Sequence, residues 1–118
     1  MTLNEFLEKI KNSPVELMGV IFHSTTGVKD FRIIGEGTET RVGFNFKDIS
    51  QGIVDNKTSM ITLVHNHPAG HEVRPSKLDL ELTFDLVDRL KKVNIKIHDH
   101  LILGGAGGVY SFSENGVI

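Results

Sequence analysis

The residues of this 118-residue chain best suited to chemistry lie in His65-Asn66-His67-Pro68, followed by Ser76 and Asp79. The run before them, Met60-Ile61-Thr62-Leu63-Val64, is apolar and β-prone, which predicts a strand ending near His65. Side chains alternate faces along a strand, so His65 and His67 can point the same way. Asp79 comes twelve residues after His67, at the start of a predicted helix. Two imidazoles and a carboxylate can hold a metal ion and leave a fourth tetrahedral position open for water, the arrangement that separates catalytic from structural zinc. The His-x-His pair alone is a weak signal. The pair at a strand end, followed by Pro, a loop and Ser-x-x-Asp, is a much stronger one. Ser76-x-x-Asp79 also has the spacing of a helix cap, and capping alone would account for both residues.

These residues resemble the JAB/MPN (JAMM) metallopeptidase domain, whose motif is His-x-His-Pro, then Ser-x-x-Asp, with a Glu far upstream. The match is closer still to the RadC-like branch. It runs through residues 65–70, 75–79, Asp99-His100, the Gly-rich stretch 104–108, Tyr110-Ser111-Phe112 and Glu114-Asn115-Gly116. The upstream Glu matches Glu16, and the resemblance covers residues 14–118. The loop between Pro68 and Ser76 has one residue more than the family pattern.

The resemblance implies a three-layer α/β fold of JAB/MPN (cytidine-deaminase-like) type, a mixed sheet flanked by helices. It implies one Zn²⁺ per chain held by His65, His67 and Asp79, with Glu16 as the general base and acid. Ser76 would assist the oxyanion or hold the water, in competition with its capping role. Asp99 and His100 are expected behind the ligands or in a structural role, and His98 at the surface. Glu81 and Asp85 are the fallback carboxylates and should face solvent, as should His71.

The implied activity is zinc-dependent hydrolysis of peptide or isopeptide bonds. The substrate would be a peptide or protein, with ubiquitin-like conjugates among the candidates. Two other readings compete. Some JAB/MPN domains are non-catalytic interaction modules, although those typically lose the His-x-His or the Asp that this chain retains. A DNA-repair-associated RadC-like role would have to run through a partner.

Composition narrows the classes further. Hydrophobic residues make up 39% and charged residues 24%, ordinary for a globular domain, and the whole chain reads as one domain. Residues 1–13 read as an N-terminal helical segment, leaving no room for the helix-hairpin-helix found upstream in longer RadC proteins. Cysteine is absent, which excludes disulfides and thiolate ligands. The first residues lack a signal-peptide pattern, and no apolar run nears the roughly 18 residues of a membrane span, so the cytoplasm is the expected location. The net charge is −2, and the densest basic group (Arg89, Lys91, Lys92, Lys96) lies at a predicted helix end where cations favour the dipole. Direct nucleic-acid binding is not expected.

Element patterns complete the reading. A capping-box spacing, Thr2 to Glu5, opens a helix over residues 2–12. Residues 17–22 and 31–34 read as a hairpin across Thr25-Thr26-Gly27, and 35–43 as a polar loop. A helix is predicted over 45–54, the motif strand over 61–65, and a helix over 76–93 with Leu82, Leu86 and Leu90 on one face. Strands over 98–103 and 109–113 flank the glycines, which form a turn and not a phosphate loop, since no Lys-Ser/Thr follows them. No internal repeat appears. The predicted order is α-β-β-α-β-α-β-β.

Overall fold

In a computed structural model, residues 1–37 and 43–118 are described, and the chain follows the predicted order. The elements are α1 (Leu3–Lys11), β1 (Leu17–Ser24), β2 (Gly27–Glu36), α2 (Phe46–Asn56), β3 (Met60–His67), α3 (Lys77–Lys91), β4 (Lys96–Gly104) and β5 (Val109–Ser111). Part of the polar loop read over 35–43 lies outside the described residues.

The strands form one mixed sheet in the order β2-β1-β3-β4-β5. β3 and β4 are parallel and the other neighbours antiparallel. A parallel pair needs a crossover, and α3 supplies it between β3 and β4. Helix α1 covers one face of the sheet, where Phe6 and Ile10 pack with Leu17, Ile21, Val64 and Leu103. Helices α2 and α3 cover the other, where Ile49, Leu86 and Leu90 pack with Met18, Val20, Phe22, Ile61, Leu63 and Ile97. The result is the expected three-layer α/β arrangement. β1 and β3 are buried on both faces, which explains their near-continuous apolar sequences. Among the described residues no helix is long and apolar enough to cross a membrane.

Two glycines mark close approaches. A Cβ on Gly19 would lie 2.7 Å from both Ile10 and Phe6, so α1 can settle on β1 only over a bare backbone. A Cβ on Gly105 would lie 2.5 Å from the Ala69 nitrogen. The Gly105 N–H donates to the His67 carbonyl at 2.9 Å, so the glycine turn braces the chain leaving the motif strand.

Candidate metal centre

The site is assembled by three elements. β3 delivers the histidines. Period-two alternation turns His65 and His67 toward the α3 side, with Leu63, and turns Asn66 toward the α1 side, with Val64. The antiparallel register pairs Met18 with His65, and continuing it by two residues sets Glu16 beside His67. Asn66 holds that stretch of chain in place. Its Oδ1 accepts from Leu17 N at 2.7 Å, and its Nδ2 donates to the carbonyls of Ser13 and Val15 at 3.2 and 3.1 Å. The residue between the two histidines therefore fixes the segment that carries Glu16. Its position in the motif was plain in the sequence; its partners, about fifty residues away, were not.

α3 delivers Asp79. Ser76 caps the helix by accepting from Asp79 N at 3.1 Å, and the Asp79 carboxylate reaches back to accept from Ser76 N at 2.8 Å. The same carboxylate places Oδ2 3.0 Å from His67 Nε2 and Oδ1 3.2 Å from His65 Nε2. Capping and facing the histidines are thus one geometry: the cap aims the carboxylate. The extra loop residue does not displace it. Ser76 accepts through a lone pair and keeps its own hydrogen, so the cap does not compete with a contact in the cleft.

Glu16, His65, His67 and Asp79 bring four potential ligand atoms within 4.8 Å of one another. All four residues are buried, at 2%, 0%, 8% and 7% exposure. The two Nε2 atoms lie 3.3 Å apart. An ion with ligands about 2.0–2.1 Å away in a tetrahedron sets its ligand atoms roughly 3.3–3.4 Å apart, which is close to the His–His and His–Asp separations. Glu16 Oε1 stands farther off, 3.7 Å from His65 Nε2. Each Nδ1 is engaged behind the site, His65 with His100 Nε2 at 2.7 Å and His67 with the Glu72 carbonyl. A divalent cation here would take up the Nε2 lone pairs of deprotonated imidazoles and offset buried carboxylate charge. The residues present therefore fit a metal ion.

Electrostatics of the metal-free protein point the same way. Burial would raise the Asp79 carboxyl, but hydrogen bonds from His65 and His67, the His65 charge and the Ser76 N–H outweigh it and hold it far below the usual carboxylate range. Burial works against a charged His67 imidazole, yet Asp79, the Glu72 carbonyl and Glu16 hold its pKa above the ordinary value. Burial is the main force on Glu16, pushing its carboxyl from 4.5 up to about 7, with His67 opposing and Asp79 assisting. The native Glu16 then keeps a proton that the unfolded chain releases, so stability falls as pH rises from 4.5 to about 7, and the penalty is complete above that. In chelator-treated protein, Glu16→Gln should remove this penalty and raise the melting temperature at pH 8 but hardly at pH 4. Thermal unfolding at the two pH values checks this; an equal change at both would contradict it.

The centre opens to solvent through a cleft of about 540 Å³ lined in part by Glu16, His67, Arg74, Ser76 and Tyr110. His65 is wholly buried. The other sequence candidates lie elsewhere. Asp99 accepts from His100 N, Ser111 Oγ and Ser113 N, so it anchors the turn after β5, the structural role among those expected of it. His98 is exposed, its ring edge-on to His23. Glu81 and Asp85 face solvent and lie near Lys77 and Arg89, one turn away. His71 is exposed in the 69–75 loop.

Similarity to known proteins agrees with this geometry. A family model described as RadC-like JAB domain matches residues 2–117. The UPF0758 protein YeeS of Escherichia coli is 39% identical over 82 residues, 70% of this chain and 54% of YeeS. A UPF0758 protein of Porphyromonas gingivalis is 30% identical over 118 residues, 99% of this chain and 50% of that protein. The UPF0758 protein RSc2444 of Ralstonia nicotianae is 40% identical over 81 residues, 69% of this chain and 35% of its own length. The chain thus spans about half the length of YeeS and of the Porphyromonas protein, and less of RSc2444. With the family model matched almost end to end, the chain belongs to the RadC-like JAB domain family.

Proposed function

We propose that this chain is a zinc-dependent hydrolase of peptide or isopeptide bonds. The observation that carries the reading is the buried quartet, with three donors at tetrahedral spacing and a second carboxylate, Glu16, standing just beyond them. Zn²⁺ would be held by His65 Nε2, His67 Nε2 and Asp79, and when bound it supplies Lewis acidity to a water and to the scissile carbonyl. Glu16 takes the proton of the attacking water and passes it to the leaving amine nitrogen. A carboxylate standing just beyond the ligand atoms is placed for both transfers. The cleft that would receive the substrate is lined in part by Glu16, His67 and Ser76, while His65 is wholly buried. The Ser76 hydroxyl hydrogen is available to the carbonyl oxygen as negative charge develops on it. A protein substrate, including a ubiquitin-like conjugate, falls within this reading, as does a cytoplasmic setting.

The test is a panel of peptide and isopeptide conjugates incubated with zinc-loaded protein. Cleavage that stops with chelator and returns with zinc is the expected result. A zinc-loaded protein that cleaves none of them would favour a metal-stabilised interaction module.

A further inference from the structure

We propose that Thr83 and His100 are positioning residues for His65, forming a hydrogen-bond wire that fixes which of its nitrogens can bind metal. The inference rests on the metal-centre reading above. Thr83 Oγ1 lies 2.7 Å from the Asp79 carbonyl, one turn back on α3, and also 2.7 Å from His100 Nδ1. His100 Nε2 lies 2.7 Å from His65 Nδ1. Thr83, His100 and His65 are all fully buried.

The proton order along this wire has one consistent solution. A carbonyl only accepts, so the single Thr83 hydrogen goes to Asp79 O. Thr83 Oγ1 must then accept from His100 Nδ1–H. With its Nδ1–H spent on Thr83 and no water in reach of a fully buried ring, the neutral His100 imidazole presents Nε2 to His65 as an acceptor. His65 must therefore donate through Nδ1–H, which leaves Nε2 as the nitrogen that faces Glu16, His67 and Asp79 and can give up its proton to a metal. The wire starts at one ligand residue and ends on the backbone of another, so it ties the strand that carries His65 to the helix that carries Asp79. Phe112 stacks on the His100 ring, with centroids 4.4 Å apart, and holds its plane.

Replacing the hydroxyl by a methyl reverses the order. In Thr83→Val the His100 Nδ1–H has no acceptor, so the proton moves to Nε2. That N–H then meets His65 Nδ1, and the His65 proton shifts to Nε2, the atom needed for metal. Groups behind metal ligands typically account for about 10–100-fold in affinity.

The experiment is zinc affinity by competition with a chromophoric chelator for wild type, Thr83→Val and Thr83→Ser. Alongside it, nitrogen NMR of the metal-free proteins with labelled histidine reads the proton positions directly. The expected result is a 10–100-fold loss in Thr83→Val, recovery to within about threefold in Thr83→Ser, and wild-type protons on Nδ1 of both His65 and His100. Equal affinity in Thr83→Val beside tight wild-type binding would overturn the wire and leave the metal centre standing. So would a wild-type His65 with no proton on Nδ1, a reading that needs no variant to fold. Wild-type protein that binds no zinc, with the Nδ1 pattern present, would overturn the metal centre and with it the role assigned to the wire.

Discussion

Glu16→Gln should bind zinc as the wild type does and lose hydrolysis by about 10²–10⁴-fold, the usual contribution of a positioned proton-transfer group. Gln keeps the shape of the side chain and removes its basicity. The expectation of retained zinc follows from distance. Glu16 Oε1 is 3.7 Å from His65 Nε2, whereas Asp79 places an oxygen 3.2 Å from the same atom. Metal content and turnover measured on the same sample separate the possibilities. Retained zinc with lost turnover is the result expected of a proton carrier. Zinc lost together with turnover would make Glu16 a fourth ligand. Unchanged turnover would remove Glu16 from the mechanism.

Asp79→Asn and Asp79→Ala should divide the two duties of one carboxylate. Both variants remove the charge facing His65 and His67, and zinc affinity should fall by more than the roughly 10–100-fold seen when a group behind a ligand is lost. Their stabilities should differ. An Asn oxygen can still accept from Ser76 N, the 2.8 Å bond that closes the capping box. Ala cannot, and should destabilise α3 by about 0.5–2 kcal/mol relative to Asn. Zinc titration and urea unfolding of the metal-free variants read the two effects independently. Zinc affinity unchanged in Asp79→Asn would reduce Asp79 to a helix cap.

Much of the fold was legible because local chemistry and global packing agree. Thr2 and Glu5 form the capping box their spacing announced, and Leu86 and Leu90 are buried on the α3 stripe. The misread boundaries have physical causes. β2 begins at Gly27 and not near Phe31, because Gly27 to Asp30 is an edge segment drawn into the sheet by pairing with β1 and not by an apolar pattern of its own. α2 runs on to Asn56, whose side chain bonds the Gly52 carbonyl and Asp30. β5 stops at Ser111 because Asp99 captures Ser113 N and the chain turns.

The candidate ligands were legible because they lie on single elements in fixed spacings, two on a strand end and one in a helix cap. Their supports were not. His100 reaches His65 across 35 residues, and Asn66 reaches Val15 across 51. Those partnerships are created by strand order, which no local pattern encodes. Thr83 did leave a trace. It is a polar residue four positions after Asp79 on the buried side of α3, where an apolar one would be the default.

The central claim is that His65, His67 and Asp79 hold a metal ion. Protein purified without chelator and reconstituted with zinc should carry about one zinc per chain by elemental mass spectrometry, as three donors at tetrahedral spacing predict. His67→Ala should carry almost none. A wild-type chain that retains no zinc after reconstitution, or a His67→Ala variant that retains as much as wild type, would contradict the account.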